Sequence, residues 1–422
     1  MPVARIWLAA VAMLCLTWLT TGCSDRERAN PLDPLNPKTH GKPVGLRAIS
    51  LRDTVALSWQ LLGLRGLSGY RIYRRAQPSA VFSLVDSVSG EISGFRESGL
   101  QLGRRHVYRI TAFSPSTESN PSDTVSITPG PACTWVADPG GAVVKLTHDG
   151  LHEILRVDDL LEPIRLQANP KTGQVWVIDS LTGEVSCWEA DGRFSGVAIE
   201  LERPVDVALD TTENSIWVGD ANLGLLKFDR AGTRVAQLSL PGISAIAFNY
   251  FTGELWALSN REKKLWRVNR QATSSSEINA SLVSPRAISI ARATGVAWIA
   301  DSSRVRMIPS FGAASSAAGY DFSFARDVAV NQRTGDAWTI DWSPAAGQSK
   351  IVKFSSVGVM VFSVADFSGP SALSVNVFDG SCFIAEPQLS RVTHVSLSGQ
   401  IISRSADVAI PADIDVENRP LN

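Results

Sequence analysis

The chain has 422 residues, 44% of them hydrophobic, and balances 40 basic against 41 acidic side chains for a formal net charge of −1. That length suits two or three domains with sizeable cores. Near-neutrality without a long block of one sign excludes a nucleic-acid surface and electrostatic adhesion to a membrane, so no nucleic-acid partner is expected.

Membrane attachment would need a separate device, and the N-terminus offers one. Arg5 precedes an uncharged, mostly apolar run from Ile6 to Leu19. The run is too short to span a bilayer and right for a signal peptide. It ends in Leu19-Thr20-Thr21-Gly22-Cys23-Ser24-Asp25, which resembles a bacterial lipobox except that Thr20 stands where an aliphatic residue is usual. The resemblance implies that residues 1–22 are removed and that Cys23 is lipidated. The protein would then be anchored in a bacterial cell envelope, at the outer membrane or cell surface, with a periplasm-facing position also open. Ordinary cleavage near Gly22, leaving a soluble protein, is the alternative. Three cysteines remain beyond the leader, Cys133, Cys187 and Cys382, too few for a disulfide framework. A Cys133–Cys382 bridge and buried free thiols are the two options, with free thiols expected.

Residues 23–43 begin at Cys23 and carry Pro31, Pro34, Pro37 and Pro43 in polar surroundings. They read as an extended tether. Residues 44–130 change character. Val55-Ala56-Leu57-Ser58-Trp59, Gly69-Tyr70-Arg71-Ile72-Tyr73-Arg74, Phe82-Ser83-Leu84-Val85 and Val107-Tyr108-Arg109-Ile110-Thr111-Ala112 are strand-like runs separated by Gly and Ser clusters. Short strands at this spacing predict an antiparallel sandwich. Leu57-Ser58-Trp59, the Gly69–Arg74 run, Gly99-Leu100, Gly103 and Tyr108-Arg109-Ile110-Thr111-Ala112 resemble a fibronectin type III domain. His106 stands where that family usually has its corner tyrosine, and the simplest expectation is that it fills the same corner.

Residues 131–422 repeat a phrase: Pro, a short alternating run, a tight turn, an aromatic and an acid. Copies are Pro163, Gly173, Trp176, Asp179; Pro204, Asn214, Trp217, Asp220; Pro285, Gly295, Trp298, Asp301; and Pro370, Gly380, Phe383, Glu386. The aromatics Trp135, Trp176, Trp217, Trp256, Trp298, Trp338 and Phe383 lie 39 to 45 residues apart, the length of a four-stranded propeller blade. The first unit lacks a first strand before Trp135, while Pro411-Ala412-Asp413-Ile414-Asp415-Val416 fits the first-strand pattern at the far end. The C-terminal strand is therefore expected to close a ring. The repeat resembles the NHL and YVTN-type propeller families. The fold class expected is all-β, a fibronectin-like β-sandwich followed by a β-propeller of seven blades by the count of aromatics, with six as the alternative.

Two sets of residues could carry function. Asp138, Asp179, Asp220, Asp301, Asp341 and Glu386 follow their aromatics by three and would ring one face, as a cation or Arg/Lys-binding rim. Capping of their own turns is the competing and preferred reading. Trp342, next to Asp341, opens the longest loop of the array and is the best single candidate for a ligand contact. First strands would line an axial channel whose mouth carries Arg165, Asp206, Arg286, Arg326, Asp327 and Asp413, where mutual ion pairing is the safer reading. No catalytic constellation or zinc spacing is present, and no cofactor is called for beyond the option of Ca²⁺ at the channel mouth. The expectation is a monomeric, membrane-anchored binding module for a protein, peptide or glycan, more a binder than an enzyme. A metal-dependent propeller hydrolase or lyase and a purely structural envelope component are the alternatives.

Overall fold

The computed structural model describes residues 30–51, 53–101, 104–130, 133–312, 315–405 and 408–419. The expected leader and Cys23 lie outside them. Apart from one 3-10 turn, Pro387–Leu389, the regular structure of the described residues is all strand. Among them no helix is long and apolar enough to cross a membrane.

The chain divides into two compact units, the first formed by residues up to Ile49, Thr54–Gly99 and Gly103–Thr128. Its described N-terminal part departs from the expected extended tether. Residues 30–43 form successive turns because Asx side chains take up the backbone N–H groups that the intervening prolines leave exposed. Leu32 N donates to Asn30 Oδ1 and Leu35 N to Asp33 Oδ1, both at 2.9 Å, and Lys38 N donates to Asn36 Oδ1 at 2.8 Å. Asn36 and Thr39 are buried in the resulting knot.

Beyond the turns, Arg47–Leu51, Thr54–Ser58 and Gly94–Glu97 make a three-stranded sheet. Ser83–Ser89, Gly69–Ala76, His106–Phe113 and Val125–Ile127 make a four-stranded one. Tyr70 and Ile72 are fully buried while the alternate Arg71 and Tyr73 are partly exposed, the period-2 pattern of a half-buried strand. The rings of Trp59 and Tyr70 meet at 5.3 Å. His106 is buried without a hydrogen bond from either ring nitrogen among the described residues, and burial lowers its pKa. The polar contact here belongs instead to Tyr108, whose hydroxyl donates to Glu97 at 2.8 Å.

The second unit runs from Pro129 onward, with Ser50–Asp53 and Leu100–Leu102. It holds seven antiparallel sheets of four strands, six of them taken consecutively from the chain. In the remaining sheet, Thr134–Asp138 is flanked on one side by Ala142–Leu146 and Glu153–Val157 and on the other by Asp413–Val416. Ile414 faces Val136 and Asp415 faces Trp135 across that pairing. First strands of successive sheets touch from Pro163–Ala168 round to Ala372–Val375, and Asp413–Val416 touches both of these, so the contacts return to their start.

Burial follows from this arrangement. Second strands such as Val175–Asp179, Ser215–Asp220 and Ala337–Asp341 are buried at every residue, because each sheet has a neighbour on both faces. Fourth strands such as Phe194–Glu200 and Met360–Phe367 are exposed edges. The repeat tryptophans fill the space between sheets, and Trp135, Trp217, Trp256, Trp298 and Trp338 are fully buried. Opposite three of them stand buried lysines, Lys145, Lys227 and Lys353. Each ammonium lies over its tryptophan ring and donates to a carbonyl of the next sheet's turn, Ala190, Arg270 and Leu397 respectively. Cys133, Cys187 and Cys382 are buried and form no disulfide with one another.

Candidate functional site

The repeated acids are structural staples. Asp179 accepts from Leu161 N and Glu162 N, which lead into the first strand of its sheet, and from Leu181 N and Thr182 N of its own turn. Burial pushes its pKa up, but these four donors outweigh burial and hold it low. Asp220 likewise accepts from Arg203 N, Asn222 N and Leu223 N. Asp301 accepts from Val283 N, Ser284 N and Arg306 Nε. Asp341 accepts from Ser323 N, Phe324 N and the Tyr320 hydroxyl. Asp138 accepts from Gly140 N and, from 271 residues away in the sequence, from Ala409 N. Glu386, one methylene longer, takes Ser368 N, a two-pronged contact from Arg391 and the Thr393 hydroxyl. All six are buried. The candidate ligand face is corrected accordingly: these carboxylates face inward with their oxygens occupied, and they form no exposed rim.

Trp342 belongs to another structure. It is half-buried against the core cluster containing Trp338 and Ile340, its backbone N–H donates to Phe324 O at 2.8 Å, and its ring meets Phe324 edge-on at 6.2 Å. It is a wall rather than a free arm on a loop.

That wall encloses a cavity of about 730 Å³ shared with Arg165, Arg286, Arg326 and Asp327. Three first strands, Pro204–Asp210, Ala325–Val330 and Asp413–Val416, carry carboxylates at equivalent positions of this end. Asp206 accepts from Ile246 N at 2.8 Å, Asp327 from Leu373 N at 2.9 Å and Asp413 from Leu166 N at 2.9 Å, each bond reaching the adjacent first strand. Arg165 sits among the three carboxylates, 3.3 Å from Asp413. The charge of Asp413 raises the Arg165 pKa against the cost of burial, with Asp206 and Asp327 adding to it. Burial pushes Asp206 up to about 6 and raises Asp327 and Asp413, opposed in each by Arg165.

Arg286 and Arg326 differ from Arg165. Their guanidiniums stack on Phe324 at 5.2 Å and on Trp342 at 5.7 Å. Among the described residues neither has a carboxylate within 4.0 Å. Burial lowers the Arg326 pKa; the charge of Asp327 opposes this, and Arg286 and Arg165 lower it further. The expected mutual pairing at the mouth thus holds for Arg165, while Arg286 and Arg326 make no direct ion pair among the described residues. Phe324 was not singled out in the sequence, since the residue before the first strand varies from unit to unit, as Glu162, Arg203, Gly242 and Ser284 show.

A Ca²⁺ ion does not fit here. Among the described residues no three His, Cys, Asp or Glu side chains are grouped to hold a metal, and Arg165 occupies the centre of the three mouth carboxylates. The histidines are elsewhere. His148 and His394 lie 6.4 Å apart between the last sheet and the first. His394 stacks on Phe383 at 4.0 Å and bonds Ser381 Oγ at 2.8 Å.

No protein-family model matches this chain, and no curated protein does. Solved structures do resemble it. One is a functionally unknown protein from Desulfotomaculum acetoxidans DSM 771, at 12% identity and TM-score 0.59, over 68% of this chain and 99% of that one. Apo AztD from Citrobacter koseri matches at 11% identity and TM-score 0.52, over 68% and 97%. U3-55K matches at 10% identity and TM-score 0.53, over 60% and 84%. At these identities the likeness concerns the fold alone.

Proposed function

We propose that the protein is an envelope lipoprotein in which a fibronectin-like sandwich precedes a seven-bladed β-propeller, and that the propeller is a binding module. The returning cycle of first-strand contacts supports the propeller reading. The lipobox-like ending at Cys23 supports the anchor.

The binding face is the mouth lined by Arg286, Arg326, Phe324 and Trp342. The observation that carries this is the pair of stacked guanidiniums without a direct ion pair on an open cavity. Stacking fixes the guanidinium planes and leaves their N–H edges to receive an acidic group. The partner is accordingly an acidic protein, peptide or glycan.

The test is retention of envelope components by the immobilised chain, compared with an Arg286→Ala/Arg326→Ala variant of unchanged thermal midpoint. Loss of specific partners in the variant is expected. Identical partner sets for both proteins would remove the mouth from consideration.

A further inference from the structure

A second cavity, of about 640 Å³, is lined by the first strands of all seven sheets at their opposite end. Three cations stand at its rim: Lys171, Arg292 and Arg333. They come from three different sheets, in the turns that follow Pro163–Ala168, Pro285–Ile290 and Ala325–Val330, and all three are exposed.

The acids of this side already have partners. Asp210 pairs with Arg270 at 3.0 Å, Glu213 with Lys227 at 3.0 Å, and Asp336 lies 3.8 Å from Lys353. Glu417 pairs with Lys145 at 2.7 Å and with Arg419 at 2.9 Å. Asp379 accepts from the Ser381 hydroxyl at 2.6 Å. Among the described residues none of these acids pairs with a rim cation. Lys171 Nζ donates to the Thr211 carbonyl and keeps two N–H groups. The Arg292 guanidinium lies over the Tyr250 ring at 4.1 Å with its edge unspent.

Within the cavity the balance is the same. Ser289 Oγ accepts from Val330 N at 3.1 Å, which leaves its hydroxyl proton to donate. Among the described residues of the lining Asp415 is the one carboxylate, and it already receives Gln167 Nε2 at 2.7 Å, Ala168 N at 2.9 Å and the Ser374 hydroxyl at 2.9 Å. Donors and positive charge are in surplus, and the surplus surrounds a concave space. We propose that this cavity is a second and independent site, which binds a small multiply charged anion, a phosphorylated or polycarboxylate solute, between Lys171, Arg292 and Arg333.

Titration calorimetry of the full chain in low salt tests this, with tripolyphosphate and citrate as probes and glucose as the neutral control. Tripolyphosphate or citrate should bind the wild type and glucose should not. An Arg292→Ala/Arg333→Ala variant should bind at least about tenfold more weakly, and the Arg286→Ala/Arg326→Ala variant should bind as the wild type does. Both rim arginines are exposed, so an unchanged thermal midpoint is expected and is measured alongside. The proposal is overturned if neither probe binds at about 1 mM, if both double variants weaken binding equally, or if sedimentation shows attachment to phosphatidylglycerol vesicles without binding of the free anions. Because the two arginine pairs are changed separately, failure here leaves the reading of the other mouth untouched, and the reverse.

Discussion

Trp217 carries the repeat at the scale of a single residue. It is fully buried, packed in the cluster that joins two neighbouring sheets, and Lys227 crosses its ring at 5.2 Å. Trp217→Ala should therefore cost about 3–5 kcal/mol, read by chemical denaturation. Trp342→Ala, at a half-buried wall, should cost clearly less. His394 predicts a pH dependence. Burial, with His148 next in weight, lowers its pKa to about 4 from 6.5. The unfolded chain therefore takes up the proton first. The contribution of His394 is complete above 6.5 and is lost as the pH falls from 6.5 to 4, by up to ~3 kcal/mol. Asp206 and Asp415, pushed by burial up to about 6 and about 7, have the opposite sign and favour folding as the pH falls. The informative quantity is thus the difference in unfolding free energy between wild type and His394→Gln from pH 8 to pH 4, which should shrink with acidification. A constant difference would show that folding does not lower the His394 pKa.

At the scale of elements, the closing strand decides whether seven sheets act as one body. Asp413–Val416 completes the sheet of Trp135 and also reaches the next first strand, through Asp413 to Leu166 N and Asp415 to Ala168 N. Deleting residues 411–422 should therefore open the cycle at both contacts. Limited proteolysis should then cut first in the sheet of Thr134–Asp138, and the thermal transition should broaden or fall well below that of Asp413→Asn, which loses one staple only. Equal midpoints for the truncation and the point variant would refute the closing role. This strand was legible in the sequence because its spacing matched the first strands of the other units. The turns of residues 30–43 were not: four prolines suggest extension, while the fold depends on where the Asn30, Asp33 and Asn36 side chains point. The uniform burial of the second strands was equally hidden. Alternation is a signal of a sheet with one wet face, and these sheets have none.

At the scale of the whole molecule, mass spectrometry of the mature N-terminus tests the anchor. A chain beginning at Cys23 with added acyl mass is expected, and an unmodified Cys23 or Ser24 start would refute it. The near-zero net charge conceals a local segregation, with cations that make no direct ion pair among the described residues at both ends of the first strands and most nearby acids spent on backbone N–H groups or other cations. By itself the sequence determined the strand content, the recurring unit, the order of the sheets and the strand that returns to the first of them. Those features are written in local patterns and in a period of about forty residues. Only the tertiary structure decided which of the repeated polar residues are consumed. Asp138 is satisfied by Ala409 and Asp413 by Leu166, partners that no spacing rule connects. Whether a charge is a staple or a site depends on which groups the fold brings within hydrogen-bond distance, and the six repeated acids look alike until those groups are in place.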